Sequence, residues 1–301
     1  MPVALENDTL RLIVDPAAGA SILALHVRHG QSWLPLMPDS RDPACDLVTA
    51  CFIMAPYSNR IRDGAFPFQG HTLQLERSDA HAIHGDVRTR CWNVIERTDV
   101  MVRCQLDTTI QDQVNWPWPF ILDAVYSLDG DTLIARLELT NTAAEPAPAG
   151  FGWHPYFRRW LTRPGEPVML RFGVERAFPD ACGTRLPSGP AAVLPPDQDF
   201  RCVRELKPEH FLDTCFTGYD GNGGVDWPES GIGLRWSCSA SCTHLVVYNP
   251  AGKPYFAFEP VTNANNGMNL YAAGDPDSGV RVLDPGESMD ARFATQVRTE
   301  T

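Results

Sequence analysis

No uninterrupted apolar run approaches the roughly 18–20 residues that a helical membrane span needs. The amino terminus, Met1 to Asp8, has no basic region and no long apolar segment, so no signal peptide is expected. Positive charge is short: 25 Lys and Arg stand against 37 Asp and Glu, a formal net charge of −12. That balance argues against a binder of nucleic-acid backbones, and no membrane partner is expected. Cysteines are present without useful spacing. None of the nine (Cys45, Cys51, Cys91, Cys104, Cys182, Cys202, Cys215, Cys238, Cys242) forms a C-x-x-C pair. Cys238 and Cys242 lack the second His/Cys pair of a zinc site. Reduced, mostly buried thiols in a cytoplasmic protein follow. Also missing are G-x-S-x-G, G-x-x-x-x-G-K-[ST], G-x-G-x-x-G after a strand, and H-E-x-x-H. Gly221-Asn222-Gly223-Gly224 has no following helix or Lys-Ser/Thr and reads as a loop. Long helical periodicity is absent. With 44% apolar residues and no charge block, low-complexity tract or repeat, disorder is excluded as well.

What the chain does have is short alternating segments. Leu10 to Val14 runs into a turn at Asp15-Pro16 closed by Gly19, and Ser21 to Val27 reaches a break at His29-Gly30. Thr72 to Glu76 alternates after Gln69-Gly70, and Val100 to Leu106 alternates loosely. Asp129-Gly130-Asp131 separates Ala124 to Leu128 from Thr132 to Thr140, a strong hairpin signal, with Leu133, Ala135, Leu137 and Leu139 on one face. Thr243 to Tyr248 and Tyr255 to Glu259 flank another hairpin-like break. The 26 prolines and 23 glycines punctuate the chain into such pieces. Residues 143–149 read as a loop, because apolar-aromatic sequence follows at once, and 186–200 reads as another. At about 150 residues per domain the chain would allow two, yet all-β sandwiches reach roughly 250 residues as one. The expectation is all-β: one large antiparallel domain over residues 1–301, a sandwich or an open twisted arrangement of sheets.

Four polar clusters interrupt apolar or aromatic sequence. In Ala55 to Gly64, Arg60 can offer a planar fork of donors to hydroxyl or carboxylate oxygens, or sit at the surface paired with an aspartate. In His81-Ala82-Ile83-His84-Gly85-Asp86 the two histidines would face opposite ways on a strand, which predicts no shared metal. Gly85 permits close backbone approach, and His84 is either a structural residue or a ligand contact. In Gly150 to Phe157, His154 sits among four aromatics and before Pro155, which favours extended backbone and a laterally projecting imidazole. It is either a buried, satisfied histidine or a titrating group with shifted equilibrium. In Phe256 to Asn266, Glu259 ends an aromatic strand, opposite in parity to Phe256 and Phe258. It is either a solvated rim glutamate or a general base. Asp213, an acid in an apolar stretch, needs partners if buried.

Taken in order, these clusters resemble the aldose 1-epimerase (galactose mutarotase) family. The likeness rests on Asn59-Arg60-Ile61 with Gly64, Phe66, Phe68 and Gly70; His84-Gly85 with Trp92; His154-Pro155-Tyr156-Phe157; Asp213 with Phe216; and Glu259-Pro260 with Thr262, Ala264 and Asn265. The resemblance implies a large antiparallel β-sandwich of the galactose mutarotase type with a groove across a sheet. It implies that His154 matches the catalytic acid and Glu259 the base. Asn59, Arg60 and His84 match substrate-contacting positions, and Asp213 matches the acid that binds sugar hydroxyls. The implied partner is a small sugar, with no metal or organic cofactor, on a monomer or homodimer. The residue types suit anomer exchange: a carboxylate takes the anomeric hydroxyl proton while an imidazolium protonates the ring oxygen. Each such transfer typically contributes about 10²–10⁴-fold.

Three departures from the family pattern bear on the substrate: Arg158-Arg159 after the His-Pro-Tyr-Phe motif, Asp86 after His84-Gly85, and Trp116-Pro117-Trp118-Pro119-Phe120. An aldohexose is the first expectation. A sugar phosphate or acidic sugar is the alternative, should Arg60, Arg62, Arg88, Arg90, Arg158 and Arg159 converge. A non-catalytic carbohydrate-binding module is the third, though binding alone does not require an acid opposite a base.

Overall fold

The alternating segments fold as antiparallel strands in the computed structural model, which describes residues 1–77 and 80–299. The Asp129-Gly130-Asp131 signal makes the expected hairpin. Phe120–Asp129 pairs with Thr132–Asn141 from Phe120↔Asn141 to Asp129↔Thr132. Leu133, Ala135, Leu137 and Leu139 are buried while Arg136 and Glu138 are exposed, as a period of two requires.

Two sheets result. One has eleven strands among the described residues: Val3–Glu6, Leu10–Asp15, Ser21–His29, Cys51–Met54, Gly152–Arg158, Tyr255–Val261, His244–Asn249, Leu212–Thr217, Arg176–Ala177 and Ala192–Val193 in spatial order, with Ser32–Pro35 branching from Ser21–His29. The other has nine and is centred on Thr132–Asn141 and Ser288–Thr299. They stack through aromatic side chains. Phe258 of the larger sheet lies 4.0 Å from Trp236 of the smaller, Phe157 lies 5.0 Å from Trp236, and Trp153 lies 5.9 Å from Phe293. Such ring pairs add about 0.5–1.5 kcal/mol each beyond area burial. The described helical structure amounts to the six-residue Gly267–Ala272 and three short 3-10 turns. No described helix is long and apolar enough to cross a membrane.

Three local expectations are corrected. Only Gly221 of the expected Gly221 to Gly224 loop lies outside a strand: Asn222–Trp227 is paired between Ile232–Cys238 and Met169–Phe172. A Cβ on Gly223 would stand 3.0 Å from Phe258 and 3.2 Å from Trp236, so here glycine answers a packing demand beneath two rings. The 143–149 segment also contains a strand, since Ala147–Ala149 pairs with Arg281–Leu283. Glu259 does not end its strand, which continues through Pro260 to Val261.

Candidate active site

Five strands of the larger sheet carry the site: β1 (Cys51–Met54), β2 (Gly152–Arg158), β3 (Leu212–Thr217), β4 (His244–Asn249) and β5 (Tyr255–Val261), in the spatial order β1-β2-β5-β4-β3. Alternation decides which side chains face away from the core. Trp153 and Phe157 go inward, leaving His154 and Tyr156 on the outer face of β2. Phe256 and Phe258 go inward, leaving Ala257 and Glu259 on the same outer face of β5.

Register then aligns residues far apart in the chain. Phe52 pairs with His154, and Glu259 pairs with Val246. His154 falls opposite Glu259, midway between the pairs Gly152↔Val261 and Tyr156↔Ala257. The next row along the strands runs Tyr156, Ala257, Tyr248, Asp213. The β2–β5 ladder skips the positions between its two pairs, where Pro155 and Pro260 have no N–H to donate. The ladder is thus interrupted where the imidazole and the carboxyl meet.

His154 Nε2 lies 3.1 Å from Glu259 Oε1, with both side chains almost fully buried. Phe52 stacks against the His154 ring at 4.5 Å, Tyr156 lies tilted at 4.6 Å, and His84 stands edge-on at 5.4 Å. A cavity of about 170 Å³ opens over this row. All six expected residues, Asn59, Arg60, His84, His154, Asp213 and Glu259, line it. A larger cavity of about 520 Å³ lies beside Arg158 and Tyr255, but neither His154 nor Glu259 lines it. Tyr156, Arg185 and Tyr248 complete the lining without having been foreseen as site residues. Alternation up to Tyr248 could have placed its ring on the outer face. Nothing local marks Arg185, which comes from an irregular loop.

The loops above the sheet are fastened to it. Arg60–Ile61 pairs with Ala82–Ile83, and the His84 N–H donates to the Asn59 carbonyl at 2.7 Å. His84 and Gly85 both have positive φ, 64° and 65°. A Cβ at Gly85 would lie 1.8 Å from the Ala55 carbonyl oxygen, so glycine is required for this turn to dock. Asn263 and Asn266, just past β5, clamp the Arg60 segment. Asn263 Oδ1 accepts from the Ser58 N–H at 3.0 Å, the Ser58 hydroxyl donates to the Asn263 carbonyl at 2.9 Å, and Asn266 Oδ1 accepts from the Arg62 N–H at 2.9 Å. Replacing Asn263 with Ala would strand a buried donor. Urea unfolding should show a loss of about 1–3 kcal/mol, and an unchanged midpoint would deny the clamp that role.

Electrostatics inside the cavity are governed by burial. Burial lowers the His154 pKa to about 3. It also lowers His84 well below its usual range, with neighbouring His154 adding to the shift. Burial raises Glu259 well above the ordinary carboxylate range, and the Asp213 charge adds to that. Burial thus disfavours the charged form of Glu259 and of both imidazoles. The expected carboxylate–imidazolium pair is therefore the costlier arrangement in this cavity, since removal from water penalises both charged forms. Moving one proton from Glu259 to His154 reaches the charged pair with no change in net charge. Among the described residues, Glu259 Oε2 and His84 Nδ1 are buried without a hydrogen-bond partner. Asp213 Oδ2 sits 2.7 Å from Arg185 Nε. No three described His, Cys, Asp or Glu side chains are grouped to hold a metal ion.

The arginines imagined as an anion pocket do not converge. Of the six, only Arg60 lines the cavity. Arg90 pairs with Asp86 at 2.5 Å, Arg158 donates to the Trp160 carbonyl, and buried Arg159 donates to the Leu206 carbonyl and to Asn249. Arg88 lies over the Phe52 ring at 5.5 Å. Trp116 and Trp118 pack with Phe66 inside the core, away from the site.

Comparison with known proteins follows the same direction. The sequence profile of the family described as aldose 1-epimerase matches residues 2–296. The uncharacterized Escherichia coli K12 protein YphB is 25% identical over 273 residues, which is 87% of this chain and 89% of YphB. The crystal structure of a galactose mutarotase-like protein from Clostridium acetobutylicum superposes with a TM-score of 0.84 at 17% identity, covering 99% of this chain and 95% of that one. A galactose 1-epimerase from Lactobacillus acidophilus NCFM gives a TM-score of 0.75 at 18% identity, covering 100% and 95%. At such identities the two superpositions speak to the fold.

Proposed function

The chain belongs to the aldose 1-epimerase family, and from that premise we propose that it interconverts the α and β anomers of an aldohexose by general acid/base opening and closing of the ring. The observation that carries this reading is the contact between His154 and Glu259, 3.1 Å apart on the floor of a cavity also lined by Arg60, His84 and Asp213.

In this mechanism Arg60, Asn59 and Asp213 hold the sugar hydroxyls, so that positioning supplies much of the rate. One proton passes from Glu259 to His154 as the sugar's polar groups replace water around the pair. Glu259 then removes the proton from the anomeric hydroxyl, the bond from C1 to the ring oxygen breaks, and His154 protonates that oxygen. This leaves Glu259 protonated and His154 neutral, the state that burial favours, beside the open-chain aldehyde. Rotation about C1–C2 presents the other carbonyl face, and closure reverses both transfers. His84, edge-on to His154, assists at the ring oxygen. We further read residues 1–301 as one domain of a cytoplasmic enzyme, a reading consistent with nine free thiols and a core contributed by both sheets.

The direct test uses freshly dissolved single anomers of glucose and galactose, followed by polarimetry. Equilibration should accelerate in proportion to enzyme concentration. A rate no faster than buffer for every sugar tried, neutral or acidic, would refute the proposal.

A further inference from the structure

In the mutarotase reading Asp213 holds sugar hydroxyls, a task best done by a charged carboxylate kept in one orientation. Its surroundings work against the charge. The side chain is only 10% exposed, and burial pushes its pKa up. The positive charges of Arg60 and Arg185 oppose that shift. Of the two, Arg185 is the one in contact: its Nε lies 2.7 Å from Asp213 Oδ2, while Arg60 Nη1 donates to Asn59 Oδ1 at 3.1 Å. A carboxylate has acceptor sites on both oxygens, so it can hold a guanidinium with one and a hydroxyl with the other.

The loop that carries Arg185 is built to present it. Residues 179–188 close on themselves: the Ser188 N–H donates to the Pro179 carbonyl at 2.8 Å, and the Ala181 N–H donates to the Ser188 hydroxyl at 3.1 Å. Inside the loop Asp180 accepts from the backbone N–H groups of Thr184 and Arg185, at 2.9 and 2.7 Å. Arg185 itself has a φ of 60°, left-handed backbone that a non-glycine residue keeps only where neighbours impose it. From the segment beyond Glu259, Asn265 Nδ2 donates to the Arg185 carbonyl at 3.2 Å, and the following residue, Leu186, is buried. The Arg185 side chain remains about half exposed. An ion pair between two exposed groups would contribute little. Here one partner is buried. Without the guanidinium, burial drives Asp213 toward its neutral form, which turns one acceptor oxygen into an O–H donor.

We infer that Arg185 is the positioning residue for Asp213: it holds the carboxylate as an acceptor aimed at one sugar hydroxyl, and so helps set which hydroxyl pattern the cavity takes. The inference rests on the mutarotase reading of the same cavity and deepens it. Exchange between anomers is measured by NMR at equilibrium, over a range of concentrations, for glucose and for the monodeoxy glucoses that keep the pyranose ring and its anomeric hydroxyl. Arg185→Gln should raise the KM for glucose about tenfold or more, the scale of one charge-assisted contact, and change kcat by less than about threefold. Arg185→Lys, which keeps the charge but loses the fork, should recover part of the loss. In an Asp213→Asn background Arg185→Gln should add little, because the group it acts through is gone. One monodeoxy glucose, the one lacking the hydroxyl that Asp213 holds, should have the same KM in the wild type and in Arg185→Gln. An unmoved KM for glucose, losses that multiply in the double variant, or an equal rise in KM for every deoxy sugar would overturn the inference and leave the mutarotase reading standing. A variant that no longer unfolds cooperatively would mark a structural role and overturn it as well. No acceleration by the wild type for any sugar would remove both.

Discussion

Glu259→Gln should slow anomer exchange by about 10²–10⁴-fold while the protein stays folded, because the amide keeps the shape and loses the proton. The same variant should be at least as stable as the wild type, and more so as pH rises. Burial raises the Glu259 pKa above its ordinary 4.5, so the folded state holds this proton more tightly than the unfolded chain does. That stabilisation is complete below the unfolded pKa and is lost as pH climbs through the folded value. A glutamine has no proton to lose and escapes the penalty. Thermal unfolding across a pH series checks the sign. A lower melting temperature than wild type at alkaline pH would contradict a neutral, buried Glu259, and near-normal exchange would remove it as the base.

His154→Asn should lower exchange by a similar factor, about 10²–10⁴-fold. Combining it with Glu259→Gln should cost little more than either change alone, since both residues serve one proton circuit and groups acting as a unit are not additive. Multiplicative losses in the double variant would mean that the two act independently. The stability sign is opposite to that of Glu259. Burial lowers His154 from 6.5 to about 3, so its contribution is full above 6.5 and disappears as pH falls toward 3. Acid unfolding of the wild type should include this component, and His154→Asn should lack it. Identical acid limbs in the two proteins would contradict the neutral imidazole.

Much of the site could be read from residue order. Trp153 and Phe157 claim the core face of their strand, so His154 had to point the other way. Phe256 and Phe258 impose the same on Glu259. The positive-φ docking turn was foreshadowed by Gly85, and the hairpin at Gly130 by its flanking aspartates. Reading failed where the same residue type serves two purposes. Gly223 and Gly224 resembled a loop but sit in a strand, because Gly223 must clear Phe258 and Trp236. Arg158 and Arg159 resembled candidates for the site but turn to backbone carbonyls elsewhere.

By itself, then, the sequence determined the β architecture, the faces of the principal strands and which acid and imidazole were candidates. Those follow from a two-residue period that acts within a few neighbours. Tertiary structure alone decided that His154 lies opposite Glu259, that Asp213 lines the same cavity by way of Tyr248, and that Arg185 closes the rim. It also decided how strongly burial disfavours charge on Glu259 and the two histidines. Strand register joins segments about a hundred residues apart, and desolvation depends on everything packed around a group, so neither is encoded in any local stretch of chain.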